Sequence, residues 1–118
     1  MQKRSDIFDY ARDKFGTQPD YPWSQFPNYA VLRHKSGSKW YGLIMDVERA
    51  KLGLQGNGRV DVLEVKCPPE LIGSLRMSKG YLPAYHMNKE HWLTIVLESD
   101  IPAHEIHSLI GQSFELTK

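Results

Sequence analysis

The sequence predicts an α+β fold: a mainly antiparallel sheet of about five strands, packed with an N-terminal helix, a short middle helix and a C-terminal helix. Three observations carry this. Apolar residues recur at helical spacing near both ends of the chain. Strand-like segments between them are joined by short Gly- and Ser-bearing turns. The regular strand–helix–strand alternation that builds a parallel sheet is missing. The 118 residues suit one domain spanning 1–118, with no repeat and no low-complexity stretch.

The first helix is expected from Ser5 to Phe15. Ser5 is a cap type, Asp6 and Asp9 suit the positive end of the helix dipole, and Ile7, Phe8, Ala11 and Phe15 share a face. Gly16 is placed to end it in a left-handed conformation. Residues 17–27 carry three prolines with Tyr21, Trp23 and Phe26, which reads as an ordered loop tacked onto the body. Strands are expected over Tyr29–His34, Lys39–Val47 and Val60–Lys66. The turn Ser36-Gly37-Ser38 joins the first two as a hairpin. The glycine-rich stretch from Arg49 to Arg59 reads as a mobile hairpin loop or a protruding wing. Cys67-Pro68-Pro69-Glu70 opens a short helix with Leu71, Ile72 and Leu75, closed by Gly80. Tyr81 to Glu90 is irregular or briefly extended. His91–Glu98 is a strand apolar on both faces, hence central or covered. The last helix runs from Pro102 to Phe114, with Ile106, Leu109, Ile110 and Phe114 inward.

Composition narrows the function classes. The chain is 41% hydrophobic and 25% charged, with a formal net charge of +1, which excludes a histone-like polycation. One cysteine excludes an internal disulfide framework and a four-cysteine zinc site. No apolar run reaches the ~20 residues of a membrane span, and no apolar leader opens the chain, so a cytoplasmic protein without membrane attachment is expected. Charge is uneven: residues 1–59 hold ten Lys/Arg against six Asp/Glu, and residues 60–118 hold five against eight. Folding could gather the basic residues onto one face.

No enzyme signature emerges. Cys67 stands between a strand and a helix without a catalytic setting, and reads as an inert thiol. His104-Glu105-Ile106-His107 is one residue short of the His-Glu-x-x-His zinc motif. Gly56-Asn57-Gly58 lacks the Lys-Ser/Thr and the helix of a phosphate loop. Neither a cofactor nor a metal is expected. The most unusual segment is Pro83-Ala84-Tyr85-His86-Met87-Asn88-Lys89-Glu90-His91-Trp92. Its rings, imidazoles, carboxamide and ammonium suit stacking on bases and contact with phosphate. They equally suit a structural turn that satisfies backbone groups.

At this segment the chain resembles the MmcQ/YjbR family of small bacterial proteins. The matching residues are Lys66-Cys67-Pro68-Pro69-Glu70-Leu71, Pro83 to Lys89, and His91-Trp92-Leu93-Thr94-Ile95. Pro22-Trp23, Lys39-Trp40-Tyr41, Ile101-Pro102 to Leu109-Ile110 and Ser113-Phe114-Glu115-Leu116 extend the likeness over nearly the whole chain. Phe114 stands where the family often has tyrosine, and the loop from Val47 to Gly58 is longer than in compact members. The resemblance implies a fold similar to the "double wing" of some DNA-binding domains, and DNA as a partner. On that expectation Arg33, Lys35, Lys39, Lys51, Arg59, Lys79 and Lys89 contact phosphates, and His86, Asn88 and His91 make more specific contacts. The protein is then non-enzymatic, with a monomer favoured. The alternative expectation is a protein-interaction or small-ligand module using the His86–Trp92 segment.

Overall fold

The computed structural model describes residues 1–37 and 39–118. Its elements follow the expected order. Helix α1 (Arg4–Phe15) precedes strands β1 (Ala30–Arg33), β2 (Trp40–Glu48) and β3 (Arg59–Lys66). Helix α2 (Pro69–Leu75), strands β4 (Tyr81–Pro83) and β5 (Trp92–Val96) and helix α3 (Ala103–Leu116) complete the chain. The five strands form one sheet in the order β1-β2-β3-β5-β4, with every neighbouring pair antiparallel. Three neighbouring pairs, β1–β2, β2–β3 and β4–β5, join strands consecutive in sequence, and β5 slips between β3 and β4. Apolar on both faces, β5 is therefore central, as its composition requires.

Period-two alternation gives the sheet two different faces. Ala30, Leu32, Tyr41, Leu63, Val65, Leu93 and Ile95 pack with Ile7 and Ala11 of α1 and Ile106, Leu109 and Ile110 of α3. Ser113 pins α3 to the sheet: its buried hydroxyl donates to the Tyr41 carbonyl at 2.6 Å and accepts the Lys66 amide at 2.9 Å. The other face carries Val31, Leu43, Met45, Val47, Val60, Val62 and Val96. Among the described residues no α-helix contributes to that cluster. Side chains from loops and strand ends cover it instead: Trp23, Tyr29, Leu52, Leu54, Tyr85 and Met87.

Two local expectations are corrected. The N-cap of α1 is Lys3, not Ser5, because the Asp6 carboxylate turns back to accept the Lys3 amide at 2.9 Å. Gly16 does end α1 in the left-handed region, at φ 69°. Gly80 does not end α2, which stops at Leu75. It sits at φ 95° in the turn into β4, packed so closely on Ser99 and Ile101 that a Cβ would lie 2.6 Å from the Ser99 hydroxyl. The Arg49–Arg59 stretch is a hairpin loop, joining the antiparallel β2 and β3, and its first half is packed. A 3-10 turn (Arg49–Leu52) folds it back, and Leu52 and Leu54 pack on the helix-free face. The Ser36–Ser38 turn is described only through Gly37. The proline-rich loop is ordered as expected: Asp20 bridges Val31, and Trp23 packs edge-on against Tyr29 and Trp40.

Candidate nucleic-acid interface

Register sorts the basic residues between two ends of the sheet. At the end where β2 begins and β3 finishes, the C-termini of α1 and α3 meet the β1–β2 hairpin. They enclose a groove of about 690 Å³ lined by Phe15, His34, Lys35, Ser36, Gly37, Lys39, Phe114, Thr117 and Lys118. A second hollow of about 330 Å³ shares Lys39 and Thr117 with it and adds Trp40, Lys66, Met87, Trp92 and Leu116. Four lysines and five ring-bearing residues thus line one end of the molecule.

Folding explains this gathering. Lys35 lies along Gly16, with its ammonium 2.6 Å from where a Cβ would stand, so a cation rests against the negative end of the α1 dipole. Lys39 reaches the Lys118 carbonyl at 3.5 Å. Lys66 ends β3 in phase with Val62 and pairs in register with Trp92. The aromatic floor is built by sequence-distant rings: Phe15 stacks on Phe114 at 4.1 Å, and His34 lies 4.2 Å from Phe114. His34 is buried, with Nε2 2.7 Å from the Thr117 hydroxyl. Burial, and then the charges of Lys118 and Lys39, hold its pKa below the ordinary imidazole value, so its proton is shed and the floor stays uncharged. Glu115 pairs with Lys118 at 3.1 Å on the exposed helix surface.

The expected contact residues divide. Lys35 and Lys39 share the groove. Arg33 ends β1 beside it, with its guanidinium 5.6 Å from the Trp40 ring centre and Nε donating to Asp20 at 2.9 Å. Lys51 and Arg59 lie at the opposite end of the β2–β3 hairpin. Arg59 is occupied by Asp46 at 3.1 Å and Glu48 at 3.6 Å. Lys79 is exposed in the turn before β4, away from the groove end of that strand. At the far end, Arg4 and Arg49 are likewise paired, with Asp61 and Glu98.

The Pro83–Trp92 segment is both a turn and a neighbour of the site. Met87 and Trp92 line the second hollow, whereas His86, Asn88, Lys89 and His91 are exposed around it. His86 adopts φ 62°, with its ring 4.0 Å from Tyr85. The Asn88 side chain accepts the Glu90 amide at 2.8 Å, and its carbonyl accepts the Trp92 amide at 2.9 Å. The His91 carbonyl accepts the Cys67 amide at 2.9 Å. The base of the turn is held by Glu64. This fully buried carboxyl accepts the Thr94 hydroxyl, and the Tyr85 amide at 3.2 Å; Tyr85 also donates to Thr94 at 3.0 Å. Burial pushes the Glu64 pKa up to about 8, against the pull of those hydrogen bonds and of Lys89.

Sequence reasoning missed Lys66, Lys118, His34 and Glu64. A signal existed for two of them: Glu64 and Lys66 continue the Val60, Val62 alternation, so polar groups stand in phase with a buried face. Nothing local marks Lys118 or His34, which matter only because α3 returns beside the hairpin. Among the described residues no three His, Cys, Asp or Glu side chains gather as a metal would need. No helix there is long and apolar enough to cross a membrane. Cys67 is buried, and desolvation pushes its thiol up to about 11.

Comparison with known proteins places this arrangement in a family. The YjbR family model matches residues 12–116. The uncharacterized protein YyaQ of Bacillus subtilis is 58% identical over 118 residues, the full length of both chains. The uncharacterized protein YjbR of Escherichia coli is 33% identical over 54 residues, 45% of this chain and 46% of its own. Among solved structures, a crystal structure of a Pseudomonas syringae protein superposes with a TM-score of 0.96 at 53% identity, over 99% of this chain and 100% of that one. A Deinococcus radiodurans protein shares the fold at 24% identity, with a TM-score of 0.74 over 98% of this chain and 78% of that one. With a full-length relative at this identity and a family model over almost the whole chain, the protein belongs to the YjbR family.

Proposed function

We propose that the protein is a non-enzymatic, cytoplasmic DNA-binding protein that holds the phosphate backbone with the lysine-rich end of its sheet. The observation that carries the reading is the convergence of Lys35 and Lys39 from the β1–β2 turn, Lys66 from the end of β3 and Lys118 from beyond α3, around Trp40, Trp92 and Phe114. Lys89 stands on the adjoining turn. Ammonium groups neutralise phosphates and release counterions, while rings offer stacking surfaces. The opposite end is unsuited to the same task, because its arginines are engaged by Asp46, Glu48, Asp61 and Glu98. Lys35, Lys39 and Lys89 of the expected set therefore remain in the interface, joined by Lys66 and Lys118. Arg33, engaged by Asp20, drops out of it with Lys51, Arg59 and Lys79.

The test is binding to a fluorescent duplex across a salt series. Five lysines on five phosphates give a slope of log K against log salt near −4.5, at about 0.9 per phosphate. A slope near zero, or no binding at low salt, overturns the reading. His86, Asn88 and His91 line neither hollow, while Met87 and Trp92 of the same segment line the smaller one, which adjoins the lysine-rich end.

A further inference from the structure

We propose that the larger groove receives one unstacked nucleotide of the bound strand, its base against the Phe15–His34–Phe114 wall and its phosphate among Lys35, Lys39 and Lys118. The inference rests on the nucleic-acid reading above and deepens it, since backbone contacts alone do not require a cavity. Three features argue for this occupant. At about 690 Å³ the groove falls in the range of sites that bury small ligands, and exceeds what a bare phosphate needs. Its wall is aromatic and uncharged: Phe15 and Phe114 are apolar rings, and His34 is kept neutral with Nε2 committed to Thr117. Its rim is cationic. Among the described residues neither Lys35 nor Lys39 pairs with an Asp or Glu side chain; Lys39 lies 3.5 Å from the main-chain oxygen of Lys118, and Lys118 pairs with Glu115. An aromatic wall under a rim of ammonium groups complements a flat ring joined to an anion. A stacked duplex offers no such free ring, so the groove favours single strands, frayed ends or extruded bases.

Two titrations test this on the full chain. In amide NMR spectra, thymidine monophosphate should shift Gly37, His34, Phe114 and Thr117, and inorganic phosphate should shift only the residues around the lysines. A ten-nucleotide oligothymidylate should bind about tenfold tighter than a mixed-sequence duplex of equal length at the same salt, the size of one base stacked on protein rings. Gly37→Trp should abolish that preference, because Gly37 lines the groove and a Cβ there meets nothing within 4 Å, so bulk can be added without removing charge. Identical shifts from the nucleotide and from phosphate overturn the proposal whatever the variant does. So does equal affinity for single strand and duplex, which leaves the basic end standing as a duplex-binding surface. Nucleotide shifts in the groove without binding of either oligonucleotide would keep the groove as a mononucleotide site and sink the DNA reading. Silence to all probes would sink both.

Discussion

Glu64→Gln should make the protein less sensitive to alkali, and the size of the effect follows from the site. The carboxyl is fully buried between β3, β5 and the Tyr85 turn, and its pKa is pushed up to about 8 from an ordinary 4.5. Below about pH 4.5 the group is protonated in both folded and unfolded chains, and its contribution is complete. Between about pH 4.5 and 8 the unfolded chain has released the proton and the native protein still holds it. Stability therefore falls as pH rises, by about 1.4 kcal/mol per unit, and levels off above pH 8. From pH 5 to pH 8 the loss is about 4 kcal/mol, a large share of the ~5–15 kcal/mol that holds a domain of this size. Glutamine keeps the length of the side chain, accepts the Tyr85 amide and donates to the Thr94 hydroxyl, and it carries no proton to lose. The neutral, lowered-pKa His34 and His107 act with the opposite sign, since burial resists their charging as pH falls. The informative quantity is thus the difference between variant and parent. Urea unfolding at pH 5, 6, 7 and 8 should show that difference growing by about 4 kcal/mol in favour of glutamine. A difference that stays flat across the series would refute the buried, proton-holding carboxyl.

Other expectations follow from single contacts. Ser113→Ala strips partners from the Tyr41 carbonyl and the Lys66 amide and should cost about 2–4 kcal/mol in urea unfolding, whereas a loss under 1 kcal/mol would mean that α3 is held by its apolar face alone. Cys67 should react with a thiol reagent at pH 8 only as fast as the protein unfolds, because it is buried and its thiol is pushed up to about 11; labelling within mixing time would contradict this. His86→Gly should be neutral or stabilising by up to about 1 kcal/mol, since φ 62° disfavours any residue with a Cβ; a clear loss would show that the ring contact with Tyr85 outweighs the strain.

The fold was legible because its signals are local. Gly16, the Ile7–Ala11 face, the strand alternations and the Pro68-Pro69 helix start each act within a few residues, and each forms where the chemistry directs. The errors arose where a tertiary partner decides. Ser5 loses the cap to Lys3 through Asp6. Gly80 is required by the approach of Ser99 and Ile101, not by a helix end. The candidate site was legible only in part for the same reason. Lys35 and Lys39 stood out as a basic run, but their meeting with Lys66 and Lys118 depends on strand register and on the return of α3. Counting charges could not separate Arg59, which faces Asp46 and Glu48 across the hairpin, from Lys39, which faces a carbonyl. The Tyr85–His91 run drew notice for its composition, and much of that composition holds a turn above Glu64.

The central claim is that one end of the sheet, and not the other, holds nucleic acid. The direct measurement is duplex affinity at low salt for two triple-alanine variants compared with the parent, one at Lys35, Lys39 and Lys66 and the other at Lys51, Arg59 and Lys79. The account predicts that the first variant loses most of its binding and shortens the salt slope by about three phosphates, while the second binds like the parent. Equal losses in both variants, or a greater loss in the second, would contradict it.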